Sequence, residues 1–139
     1  MQSYKLVVLS LILISALLFN CEEKKDPFEG TWIMVAGKYE SPELTVISNK
    51  EKRTCYKILA NGHFSVVEMC KAKPDSNFFA AVGTYSFDDS TYTETYEASN
   101  VGYQVGTSRK FKYTLDNNVW RIKMNTKNMK LYEEWMKQN

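Results

Sequence analysis

The hydrophobic positions of this chain follow two regimes. Residues 6–19 form one apolar run, broken only by serines and tipped by Lys5. Beyond residue 30 the pattern changes to short stretches in which apolar and polar side chains alternate, the period of a strand with one face in a core. Such stretches occur at 31–39, 54–60, 63–70, 78–87, 91–98, 108–115 and 119–124. Turn-forming residues separate them. Asn61-Gly62 is the strongest hairpin signal in the chain, and Asp116-Asn117-Asn118 predicts a second tight hairpin. Glu40-Ser41-Pro42 and Asp88-Asp89-Ser90 end two further strands. Pro74-Asp75 makes 71–77 a polar loop, and Gly102 with Gly106 makes 99–107 a mobile one.

Two stretches fit more than one element. In 43–52, Ser41 suits a helix cap with Pro42 at the first helical position, while Thr45, Val46 and Ile47 prefer extended backbone; the segment reads as a loop or lid. In 129–137 a helical wheel gathers Met129, Leu131, Tyr132, Trp135 and Met136 on one side and Lys130, Glu133, Glu134 and Lys137 on the other. Strand counting favours the other reading, because an eighth strand would close the sheet onto 31–39 and remove its open edge. The expectation is an all-β fold, a single small eight-stranded antiparallel up-and-down barrel, with a C-terminal helix as the alternative for its last element.

Alternation also assigns faces. In 108–115 it puts Arg109, Phe111, Tyr113 and Leu115 inside and Lys110 and Lys112 outside. Tyr92, Glu94 and Tyr96 share one face of the neighbouring strand. An arginine on an apolar face must be paired, solvated at a rim or free to meet an anion, since an isolated buried charge is very unfavourable. Arg109 is therefore either a ligand anchor or a rim cation that reaches water along its stem. Glu94 either pairs with Arg109 inside, which would favour a neutral ligand or none, or sits outside. Trp32, Trp120 and Trp135 read as core or barrel-end residues.

Composition and charge narrow the partners. The 139 residues carry 18 basic and 16 acidic side chains. Loss of residues 1–20 removes only Lys5, so the remainder is nearly neutral and unsuited to nucleic acid. About 119 residues suffice for one core. The run 6–19 has the length of a signal-peptide core and is short for a spanning helix. It leads to Cys21, which opens the charged stretch Glu22-Glu23-Lys24-Lys25-Asp26. Leu18-Phe19-Asn20 before Cys21 resembles a relaxed bacterial lipobox of the spirochaetal kind. That resemblance implies a signal peptide at 1–20, a lipidated Cys21 with a tether to residue 27, a domain over 28–139, and a membrane-anchored location outside the cytoplasm. Two or more acyl chains hold a protein stably on a bilayer.

With Cys21 assigned to lipid, Cys55 and Cys70 remain in a disulfide-permissive compartment. The Asn61-Gly62 register sets Cys55 opposite Glu68, so Cys70 is a diagonal neighbour. A bridge would need a bulge, and two separate thiols are the alternative. His63 is the chain's one histidine and lies beside the turn, with a structural or cavity-lining role. No zinc spacing, nucleophile turn or phosphate-binding glycine loop occurs. Asp88-Asp89 and Glu133-Glu134 are adjacent pairs, so on strands they face opposite ways and do not serve as acid and base together. The expectation is a non-enzyme without metal or cofactor.

Gly30-Thr31-Trp32 at the first strand resembles the Gly-x-Trp motif of the lipocalins. Lys57-Ile58 with His63-Phe64, Gly83-Thr84-Tyr85-Ser86-Phe87, Thr91-Tyr92-Thr93-Glu94-Thr95 and Phe111-Lys112-Tyr113 follow in order. Together with Lys130-Leu131, Glu134 and Trp135 at the end, they are similar to the lipocalin-like domains of small bacterial lipoproteins. The resemblance implies a barrel whose first tryptophan plugs the closed end. It supports a strand at 129–137 and assigns no activity. Two roles are expected of such a barrel. It holds a small apolar or amphipathic molecule near Arg109, Tyr92, Tyr113, Glu94 and His63, or it is filled and meets a protein partner through loops 71–77 and 99–107.

Overall fold

The computed structural model describes residues 25–75 and 78–139. The expected leader at 1–20, Cys21 as the expected lipidation position and the expected tether as far as Lys24 lie outside the described residues. Among the described residues nine strands follow in chain order: β1 (Gly30–Glu40), β2 (Thr45–Asn49), β3 (Arg53–Ala60), β4 (His63–Cys70), β5 (Phe78–Phe87), β6 (Thr91–Ser99), β7 (Ser108–Asp116), β8 (Val119–Asn125) and β9 (Lys130–Lys137). Every pairing is antiparallel between neighbours, and β1 pairs with β9 to close the sheet. The seven periodic stretches are strands within a residue or so of the bounds their alternation predicts.

Residues 130–137 form a strand, so the amphipathic wheel loses to closure. The ladder from Trp32–Lys137 to Glu40–Lys130 gives both edges a partner. The stretch 43–52 differs from the loop or lid expected of it. Thr45–Asn49 is a strand, paired with Ala36–Glu40 of β1, and Tyr56 of β3 pairs with Ile33 of the same edge. Between these pairings β1 advances from residue 33 to 36 while the partner runs from 49 to 56. β2 and β3 are therefore one interrupted barrel strand with a bulging turn at Lys50–Lys52, and the nine strands occupy eight positions around the closed barrel. The β-branched run Thr45-Val46-Ile47 prevails over the Ser41 cap because a ready edge of β1 accepts it. Ser41 serves the hairpin instead, where its N–H donates to Leu44 O at 2.8 Å.

The Asn61-Gly62 turn has φ of 51° and 76°, both positive as its two-residue hairpin demands, and it sets Cys55 opposite Glu68. Cys55 and Cys70 are free thiols. Glycine serves a different purpose at Gly83, where an added Cβ would lie 1.9 Å from Thr95 O. β5 and β6 approach that closely at the register shift between Val82 and Gly83.

The core is uneven along the barrel axis. Phe28, just before β1, closes one end, and its ring lies 4.9–5.2 Å from those of Phe87, Tyr92, Tyr113 and Trp120. Trp32 donates its indole N–H to Phe28 O at 2.7 Å and packs 5.5 Å from Trp120. Trp32, Tyr92, Trp120 and Trp135 are buried in this layer. Each large side chain contributes roughly 1.5–3 kcal/mol by leaving water. The opposite end, where β1 turns into β2, is where the interior opens.

Candidate functional site

Above the aromatic floor several of the inward side chains are charged. β3 presents Cys55, Lys57 and Leu59 to the interior and leaves Tyr56 and Ile58 exposed. Lys57 is the charged residue among these buried positions. Lys57 Nζ lies 2.6 Å from Glu94 Oε1, with both side chains almost wholly buried. Its ammonium also sits 4.7 Å from the centre of the Trp135 ring and 5.2 Å from that of Trp120. Tyr96 donates its hydroxyl to Glu94 Oε2 at 3.1 Å. Burial acts to lower the Lys57 pKa, but Glu94 and Glu133 outweigh it and hold the ammonium above its ordinary value. Burial followed by Glu94 raises the Tyr96 phenol, which remains a neutral donor.

Glu133, on β9, completes this chamber and accepts the Trp135 indole N–H at 2.9 Å. Burial raises its pKa, Lys57 opposes and Glu94 reinforces, with the net direction upward. Its sequence neighbour Glu134 faces out to Arg121 at 2.7 Å and to the Tyr132 hydroxyl at 3.0 Å, the opposite orientation that a strand requires. Arg53 and Glu68 form a further ion pair on the inner wall. The Cys55 thiol is pushed up by burial, then by Glu133 and Glu68, which keeps it protonated and a poor nucleophile.

This chamber is the foot of a larger opening. A cavity of about 350 Å³ occupies the open end, lined by apolar Met34, Leu44, Val46, Phe79 and Leu131 and by polar Ser48, Gln104 and Arg109. Glu68, Phe79, Arg109, Leu131 and Glu133 border both the cavity and the chamber. Arg109 and Glu94 are cross-strand partners, yet the carboxylate turns to Lys57. The Arg109 guanidinium lies instead 5.5 Å from the centre of the Tyr96 ring, and among the described residues no carboxylate lies within ion-pair distance of it. Ser48 Oγ and Gln104 Oε1 are buried without a hydrogen-bond partner among the described residues.

Gln104 reaches this position through a loop expected to be mobile. Residues Gly102–Gln104 form a single 3₁₀ turn, Gly106 N–H donates to Tyr96 O at 2.8 Å, and Thr107 Oγ1 donates to Gln104 O at 2.6 Å. Asn100 ties the start of the loop to β5 by donating to Phe78 O at 2.9 Å and accepting from Ala80 N–H at 2.9 Å.

Of the residues expected near a ligand, Arg109 and Glu94 border the cavity or its chamber. Tyr92 lies deeper, within the aromatic floor, 4.7 Å from Trp120. Tyr113 is also at the closed end, donating its hydroxyl to Asp88 O at 2.8 Å. His63 is exposed on the outer face, because Phe64 and Val66 claim the inner one. Lys57, Glu133, Arg53, Glu68 and Gln104 complete the site without having been expected there from sequence. The Asn61-Gly62 register did carry a signal for the first of them: it sets Lys57 opposite Val66, on the face shared with Phe64.

The sequence matches no protein-family model and no curated protein. Among solved structures it is similar to an uncharacterised protein from Bacteroides eggerthii DSM 20697, at 16% identity over 77% of this chain and 98% of that one, with a TM-score of 0.49.

Proposed function

We propose that this chain is a bacterial lipoprotein, held outside the cytoplasm by acyl chains on Cys21, whose lipocalin-like barrel binds one small amphipathic molecule. The observation that carries the binding reading is the open cavity with an unpaired guanidinium at its depth. Ligand sites are concave, mostly apolar and fixed by a few polar groups, with volumes from about 300 Å³ upward. A cavity of about 350 Å³ suits a small ligand. The interior charges favour an anionic head. Glu94 is held by Lys57 and Glu68 by Arg53. Arg109, with no carboxylate within ion-pair distance among the described residues, is the cation left to meet that head. Ser48 and Gln104 would gain partners from the same ligand. The role is binding rather than catalysis, since the buried thiol and phenols are held protonated and the carboxylates are engaged.

Native mass spectrometry of the protein extracted from host membranes, before and after organic extraction, tests this reading. The expected result is a displaceable adduct that is lost in Arg109→Ala, together with a mass increment on Cys21. A clean mass from several hosts would overturn ligand binding and favour the alternative, a barrel that meets a protein partner. An unmodified Cys21 would overturn the anchor.

A further inference from the structure

The outside of the barrel is as uneven as the inside. On β3, β4 and β5, no outward position from Thr54 to Ala60, from His63 to Met69 or from Phe78 to Ser86 carries Asp, Glu, Lys or Arg. The apolar side chains there are large and open to solvent: Ile58 is 51% exposed, Val67 49%, Phe78 49% and Val82 45%. They are contiguous, since Tyr56 pairs with Val67, Val67 with Ala80, and Met69 with Phe78. β8 lies opposite β4 around the closed barrel. The wall built on β8 and its neighbours carries Lys110, Lys112, Arg121, Lys123 and Lys130 on the outside. One wall is thus made for water and the other is not, and contiguous exposed apolar surface of this kind marks a contact site.

The path of the chain before β1 indicates what covers it. Asp26 accepts the Tyr85 hydroxyl of β5 at 2.6 Å, and the Glu29 carboxylate accepts the Asn61 N–H of the β3–β4 turn at 2.8 Å. The N-terminal segment therefore enters the fold at the foot of the uncharged wall. From Cys21 to Asp26 an extended chain spans at most about 18 Å, less than the length of β4, which at about 3.4 Å per residue is roughly 27 Å. A lipid attached at Cys21 would hold this wall within reach of the headgroups.

We infer that the outer face of β3, β4 and β5 rests on the lipid surface, so that the barrel lies on its side with the cavity mouth level with the bilayer interface and the lysine-rich wall facing water. This rests on the anchor reading above and is independent of what the cavity holds. Ile58, Val67, Val82 and Phe78 enter the interfacial region, and no charged group is desolvated when they do.

The test uses the full chain, purified from bacterial membranes and reconstituted into vesicles of phosphatidylethanolamine and phosphatidylglycerol that contain a photoactivatable phospholipid. Peptides are then mapped for lipid adducts. Several-fold more adduct is expected on residues 54–60, 63–70 and 78–87 than on 108–125, and Val67→Lys should lower wall labelling while leaving that of 21–27 unchanged. Labelling of 21–27 with a bare wall would overturn the inference while sparing the anchor. Labelling nowhere would overturn both. Even labelling around the barrel, or labelling concentrated on 108–125, would overturn it as well. A bare wall accompanied by a dimer that Val67→Lys dissociates would assign the wall to a second copy instead.

Discussion

Lys57 and Glu94 are each tenable only because the other is present. Their side chains are 4% and 3% exposed, so removing the ammonium would leave a carboxylate deep in the barrel without its counter-charge. Breaking a buried pair from one side typically costs about 3–5 kcal/mol, whereas replacing both members by apolar groups of similar size is often close to neutral. Lys57→Met should therefore lower stability by about that amount, and Lys57→Met with Glu94→Leu by clearly less. Urea unfolding of the single and double variants decides this, and simple additivity would exclude a coupled pair. Glu133 gives a pH signature. Its raised pKa means that the folded protein takes up the proton more readily than the unfolded chain, from the ordinary value of 4.5 up to the raised one. Stability consequently falls as pH rises through that window. Glu133→Gln removes the effect, so it should gain on the wild type as pH rises above about 4.5, read from unfolding midpoints. A difference that does not change with pH would mean that the carboxyl's pKa is not raised.

At the scale of the element, two glycines separate space from backbone conformation. Gly83→Ala has nowhere to put its methyl, because Thr95 O occupies the place at 1.9 Å and belongs to the backbone of the partner strand. Overpacking commonly costs about 1–3 kcal/mol and this site belongs at or beyond the top of that range. Gly62→Ala meets nothing within 4 Å but must hold φ near 76°, which costs about 1–2 kcal/mol in an L residue. Thermal unfolding should rank the two in that order, and the reverse ranking would mean that β5 and β6 can separate without loss. The same elements show what was legible in the chain. Strands were readable wherever turn chemistry bounded an alternating run, as at Asn61-Gly62, because both signals are local. β2 was not, since its partner is an edge of β1 exposed only once β3 has stopped pairing. For residues 129–137 the local pattern pointed to a helix, and the need to close the sheet, with the family resemblance of the segment, favoured the strand. The site followed the same division. Arg109 stood out as a charge on an apolar face, whereas Glu133 becomes a site residue only when the distant strand β9 brings it to the chamber around Lys57. Tyr92 and Tyr113 share Arg109's inward orientation but lie too near the closed end, and position along the axis is not encoded in alternation.

Across the whole molecule, packing is polarised along the barrel axis, and this should govern both stability and ligand response. One end is filled by Phe28, Trp32, Tyr92 and Trp120, whose rings lie 4.7–5.5 Å apart in successive contacts. The other end surrounds a cavity, and β2 there has a single partner strand, β1. Local opening follows the density of buried apolar contacts, so amides around the floor should open only with global unfolding while those at the rim open on their own. Hydrogen exchange should therefore be slowest at Trp32, Leu59, Trp120 and Trp135, and fast at Val46 and Ser48. A bound ligand stabilises whatever must be intact to hold it, in proportion to the logarithm of its concentration over its dissociation constant. Its protection should appear at β2, at the Gln104 loop and at the rim ends of β1 and β9, leaving the floor little changed because it is already at the global limit. Protection that rises equally in β2 and around Trp120 would mean that the barrel opens as one unit, and the open end would then be no more than a surface cleft.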